Sequence, residues 1–204
     1  NPIKIEKEKV AGFSVGTDIK KGETVTLRKY VSVISSLNHP REELTERACS
    51  LARQAKNKGW DELFEEHKSV WAEKWRQSDV IIDNDVAAQQ AIRFNIFQLN
   101  QTYSGNDPRL NISPKGFTGE KFSGATRWDT EAVCVPFYLS TSPQNVARNL
   151  LLYRFRHLPK AIQNAEKLGF TNGAALFPAA TFNGSEILNE WELSFEEVYR
   201  NGII

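Results

Sequence analysis

The sequence predicts a mainly α protein, in which helical hairpins form part of a toroid and a few strands from an incomplete β domain precede them. Three observations carry this. After residue 40, apolar residues recur three and four apart over most of the chain. Before it, over 4–35, Val, Ile, Thr and Tyr are frequent and alternate with other residues. Two long stretches rich in Gly, Pro, Ser and Asn, 104–124 and 171–192, interrupt the helical part. Loops of that length carry function or lack order.

In chain order, Lys20–Glu23 (KKGE) signals a turn, and TVTLRKYVSVISS follows with Val25/Leu27 and Val31/Val33 alternating. Two or three strands do not make a sheet domain alone, so these read as the end of a larger β domain. Pro40 suits the first turn of a helix, and Glu42 and Glu43 favour its positive end. Leu44, Ala48, Leu51 and Ala55 trace one face of that helix, which Gly59 ends. Trp60, Leu63, Phe64, His67, Val70, Trp71 and Trp75 mark the next. Its indoles are expected to pack against neighbouring elements, and His67 to be buried and hydrogen-bonded. Asp83 or Asp85 can cap a third helix carrying Ile92, Ile96, Leu99 and Tyr103.

Beyond the first long loop, 128–139 is apolar and helical at its start. A helix follows over roughly 143–157. Pro159 opens another, which Gly169 closes. A last helix is expected to begin near Ser194, with Glu196 and Glu197 in its first turn. The chain has no Met and stops at NGII, so both ends read as cuts through a longer polypeptide.

Composition narrows the function. With 26 basic and 25 acidic residues the net charge is +1, which gives no electrostatic case for nucleic acid or an anionic membrane. No run approaches the ~18 apolar residues of a membrane span, and the N-terminus lacks an apolar signal region. A cytoplasmic protein is expected. Cys49 and Cys134 read as buried free thiols. His39, His67 and His157 stand apart without clustered acids, so no metal site is expected. Lys115–Gly119 lacks the glycine spacing of a phosphate loop, and Asn183-Gly184-Ser185 reads as a turn.

What remains is carbohydrate chemistry. Gly124–Glu131 (GATRWDTE) places Trp128 beside Asp129, and Asn189–Glu192 (NEWE) places Trp191 beside Glu192. An indole covers the apolar face of a sugar ring, while a carboxylate accepts hydrogen bonds from vicinal hydroxyls. Glu120, Glu131, Glu186 and Glu190 add carboxylates nearby. The plainer reading makes Trp128 a core residue at a helix start and Asp129 its cap.

Several runs carry a resemblance: AQQAIRFNIFQLNQTY (88–103), RLNISPKGFTGEKFSGATRWDTE (109–131), PFYL (136–139), NLLLYRFRHLPKAIQNAEKLGF (149–170), GAALFP (173–178) and NEWELSFEEVYRNG (189–202). They resemble the maltose-phosphorylase family, family 65 of the glycoside hydrolases, and the likeness covers essentially the whole chain. It implies a partial (α/α)6 barrel, with 1–37 the terminal strands of an N-terminal β-sandwich, 38–78 a helical linker and 79–204 the first part of the catalytic barrel. The implied reaction is inverting phosphorolysis, in which maltose and phosphate give β-glucose 1-phosphate and glucose. Inorganic phosphate is then a co-substrate, no other cofactor is needed, and the full-length protein is a homodimer.

By the same resemblance Trp128 and Asp129 match the glucose-binding pair of the non-reducing subsite. Leu188–Glu196 matches the segment shaping the acceptor subsite, which makes Asn189, Glu190, Trp191 and Glu192 substrate-binding. No catalytic residue falls in the chain, because the general acid Glu is expected beyond Ile204 and the isolated chain is expected to be inactive. Leu188 stands where the family usually has His, and Phe122 and Arg127 where Tyr is common. These departures open the way to another α-glucobiose: trehalose, trehalose 6-phosphate, kojibiose or nigerose. A non-catalytic carbohydrate-binding module and a hydrolase using water are the competing readings.

Overall fold

A computed structural model describes residues 2–114, 116, 124–187 and 197–204. The chain is mainly α, as expected, and divides into two compact units at His67 and Lys68.

The first unit opens with a hairpin of β1 (Ile3–Lys7) and β2 (Val10–Ser14), antiparallel with Ile3 opposite Ser14 and Lys7 opposite Val10. The expected turn at 20–23 is present: Glu23 N donates to Lys20 O at 3.0 Å, and Gly22 takes φ 92°. The alternating run 24–35, however, forms no strand. A strand exists only as one side of a ladder, and no strand pairs with this run among the described residues, where Leu27 and Val33 stand 76% and 87% exposed. Ser32 Oγ donates to Ala48 O at 2.7 Å, which ties the run to the next helix.

After a 3-10 turn (Arg41–Glu43), α1 spans Leu44–Lys58. It ends at Gly59 with φ 83°, a conformation that strains any side chain. Helix α2 (Trp60–Ser78) begins in this unit and continues into the second. Within the first unit Trp60 stacks only on Phe64 of its own helix and is exposed, and His67 is also exposed. The expectation of burial fails for both, because they line an open hollow shared with the run Thr26–Val31 and Ala55 of α1. Cys49 is exposed too, against expectation, while Cys134 is buried and free.

In the second unit α3 spans Val86–Thr102. Asp85 is the cap, accepting from Ala88 N at 2.9 Å. Trp71 on α2 does pack as expected, stacked on Phe97 of α3 at 4.9 Å. Helices α4 (Thr130–Thr141) and α5 (Gln144–Arg156) are joined by Ser142-Pro143 and pack together as a hairpin, followed by α6 (Leu158–Glu166). Gly169 takes φ 83° just past α6, at the predicted stop. This is the partial helical barrel expected.

The core lies between the end of α3, α4 and α5. Tyr103, Ile112, Cys134, Tyr138, Val146, Ala147 and Leu150 form it. Tyr138 anchors it by donating its hydroxyl to Leu99 O at 2.7 Å. Gly105 takes φ 72°, and a Cβ there would meet Val146 at 2.6 Å, so the loop backbone presses directly on α5. The last helix differs from expectation. It is a 3-10 turn, Val198–Gly202, and Ser194 and Glu196 lie outside the described residues. Among the described residues no helix is long and apolar enough to cross a membrane.

Candidate functional site

The two long loops meet. Strand β3 (Thr126–Arg127), from the end of the first, pairs antiparallel with β4 (Ala180–Thr181), from the second. Trp128 N extends the contact by donating to Ala179 O at 3.2 Å. Tight hydrogen bonding holds β4 in turn. Gly184 N donates to Thr181 Oγ1, and Thr181 Oγ1 donates to Ser185 O, both at 2.7 Å. Ser185 N donates to Asn183 Oδ1, so the sequon is a turn as read. Leu176 N donates to Ala161 O, and Asn164 Nδ2 donates to both Leu176 O and Gly184 O, which fixes the second loop on α6.

The Val198–Gly202 turn closes the same corner. Arg200 is fully buried and donates Nε to Phe177 O at 2.6 Å, while Phe177 N donates to Asn201 Oδ1 at 3.0 Å. Tyr199 then meets Trp128 edge-to-face, with ring centroids 5.4 Å apart and planes at 84°. Trp128 is partly buried, and its Nε1–H has no acceptor among the described residues.

Asp129 sits at the N-cap position of α4, but its side chain makes no capping hydrogen bond. The capping role of the plainer reading is therefore absent. Asp129 instead lines a hollow of about 510 Å³ with the polar side chains of Gln98, Thr102, Ser113 and Thr130 and the apolar ones of Phe94, Leu99, Ile112 and Val133. Ser113 Oγ is buried there without a hydrogen-bond partner among the described residues. Burial, helped by the Glu131 and Asp129 charges, pushes the Cys134 thiol at the same wall up to about 11, so it stays protonated at neutral pH.

Two further carboxylates near the pair in sequence, Glu131 and Glu186, are occupied by structure. Glu131 is buried and takes two bonds from the equally buried Arg154, at 2.8 and 3.0 Å; Arg154 also donates to Arg127 O at 2.6 Å. This pair locks β3 onto α4 and α5. Glu186 accepts from Ala179 N and Ala180 N, at 2.6 and 3.2 Å, and lies 3.8 Å from Arg200. Neither Glu131 nor Glu186 is available to a sugar. Glu120 lies outside the described residues, as do Asn189, Glu190, Trp191 and Glu192.

Of the expected binding residues, the structure therefore places Trp128 and Asp129, side by side at the junction of the loops. Sequence reasoning missed Tyr199, Arg154 and Arg200. Tyr199 belongs to the run EEVYRNG, whose helical pattern concealed that its ring turns toward Trp128.

Among the described residues, no group of three or more His, Cys, Asp or Glu is arranged to hold a metal. Residues 93–204 match the profile of the glycosyl hydrolase family 65 central catalytic domain, and residues 2–74 match that family's N-terminal domain. The chain is 49% identical over 179 residues to maltose phosphorylase of Bacillus subtilis (strain 168), a match covering 88% of this chain and 23% of that protein. It is 36% identical to α,α-trehalose phosphorylase of Thermoanaerobacter brockii, over 84% of this chain and 22% of that one. A solved structure from the human microbiome, assigned as a kojibiose phosphorylase, superposes with a TM-score of 0.69 at 34% identity, over 76% of this chain and 21% of the other. The chain thus spans under a quarter of the length of these relatives, and with its catalytic-domain profile matched over more than half of its residues, it belongs to glycosyl hydrolase family 65.

Proposed function

We propose that this chain is the glucosyl-holding part of an inverting α-glucoside phosphorylase, which converts maltose and phosphate to β-glucose 1-phosphate and glucose. The observation that carries the reading is that Asp129, which follows Trp128 in the chain, makes no capping hydrogen bond and lines a hollow. Asp129 accepts hydrogen bonds from vicinal sugar hydroxyls, and Trp128 covers the ring's apolar face. Asn189, Glu190, Trp191 and Glu192 contact the acceptor glucose.

The chemistry needs one carboxyl group. A phosphate oxygen attacks the anomeric carbon from the face opposite the leaving group. The glycosidic C–O bond breaks, and a glutamic acid outside this chain gives its proton to the departing oxygen. Phosphate is already an anion and needs no base to activate it. An inverting hydrolase would need a second carboxylate to activate water, and Glu131 and Glu186 are held by Arg154 and by the loop backbone. The boundaries 1–37, 38–78 and 79–204, the homodimer and the cytoplasmic location belong to the same proposal.

The relatives differ in the linkage that their names carry, so maltose is tested against trehalose, trehalose 6-phosphate, kojibiose and nigerose. In the full-length protein, glucose 1-phosphate release should require inorganic phosphate and be fastest with maltose. Asp129→Ala should raise KM by roughly 10- to 100-fold, since charge-assisted hydrogen bonds are worth about 1.5–3 kcal/mol. Sugar release without phosphate would favour the hydrolase. Glucose binding that Asp129→Ala abolishes, without turnover of any of these disaccharides, would favour a binding module.

A further inference from the structure

We propose that Tyr199 is a positioning residue for the Trp128 platform, fixing the plane of the indole on which the glucosyl ring rests. The inference rests on Trp128–Asp129 being the glucosyl site. A buried Trp is usually oriented by a hydrogen bond from its indole N–H. Trp128 Nε1 is buried and has no such acceptor among the described residues, which leaves packing to set the ring, and the aromatic ring found against it is Tyr199, at 5.4 Å and 84°.

Both rings are registered on one segment. Trp128 N donates to Ala179 O, while Arg200 and Asn201, the two residues after Tyr199, are bonded to Phe177 O and Phe177 N. The anchors of the two rings are therefore two residues apart on a single extended stretch. Tyr199 itself is 55% exposed, so so rigid a placement does not serve the core. In either sense of the edge-to-face pair, Tyr199 covers at most one indole face.

The test uses the full-length protein with maltose and phosphate, or whichever disaccharide it turns over. Tyr199→Ala should raise KM for the disaccharide about three- to tenfold, the range of an aromatic pair. The KM for phosphate and the thermal midpoint should hardly change, and Tyr199→Phe should restore the wild-type value because the ring, and not the hydroxyl, does the work. Trp128→Ala should raise the same KM further, and adding Tyr199→Ala to it should have little extra effect. If Trp128→Ala raises KM while Tyr199→Ala leaves it unchanged, or if Tyr199→Phe fails to restore it, the positioning role is overturned and the sugar site stands. If Trp128→Ala and Asp129→Ala both leave KM unchanged, the sugar site itself is wrong.

Discussion

The two units of this chain solve the same problem differently. Both contain apolar residues in regular patterns, yet the described residues of the first unit include none that is buried, whereas the second holds the whole core. In the second, Tyr103, Cys134, Tyr138, Val146 and Leu150 find one another between helices. In the first, Val25, Leu27, Val31 and Val33 alternate correctly and all face solvent. The difference teaches that pattern supplies a face and only a neighbour turns it into a core. The candidate site follows the same division, since Trp128 and Asp129 are held on the unit with a core.

The contrast can be broken most directly by hydrogen exchange. Amides of the β1–β2 hairpin should exchange close to their intrinsic rates, because a two-stranded hairpin is marginal in water. Those of α5 should be slower by at least about a thousandfold, in line with ordinary domain stability. Equal protection in the two would show that the first unit has a cooperative structure of its own.

Ion pairs sharpen it next. Removing one partner of the buried Glu131–Arg154 pair, as in Glu131→Ala, should cost about 3–5 kcal/mol, a fall of roughly ten degrees in thermal midpoint. Glu43→Ala breaks an exposed pair with Arg47 in the first unit and should cost under about 1 kcal/mol. Similar midpoints for the two variants would mean that water reaches Glu131.

The smallest effect is expected from pH. Burial and then the Arg154 charge push His157 below its ordinary 6.5. The folded state thus favours neutral His157, and the unfolded chain binds the proton better. Stability from this group is intact above about pH 6.5 and declines as pH falls from there toward the lowered value. Between about pH 7.5 and 5.5 the wild-type midpoint should drop more than that of His157→Gln, measured by circular dichroism. The ring packs on Tyr153 at 4.3 Å and against Gly184, so the loss should appear first in the 181–185 turn.

Much of the site's scaffold was legible in the sequence. Asp85, one of the two caps the sequence offers, caps α3, and Gly59 and Gly169 end their helices as predicted, while the helix expected from 128 begins at Thr130 and leaves Trp128-Asp129 ahead of it. Which carboxylates are taken up by structure was not legible. Glu131 and Asp129 are two residues apart and alike in composition, but α4 carries Glu131 inward to Arg154 while Asp129 stays on the hollow. His67 and Trp60 share a helical stripe with Trp71, yet both are exposed while Trp71 stacks on Phe97 of α3.

By itself, the sequence determined where helices start and stop, because caps, prolines and positive-φ glycines act within a turn of their own position. It also determined the family, through runs whose residue order is specific. Only the tertiary structure decided that 24–35 would stay unpaired, that β3 would find β4, and that Tyr199 would lie on Trp128. Each of these depends on a partner distant along the chain, and a local pattern carries no address for it.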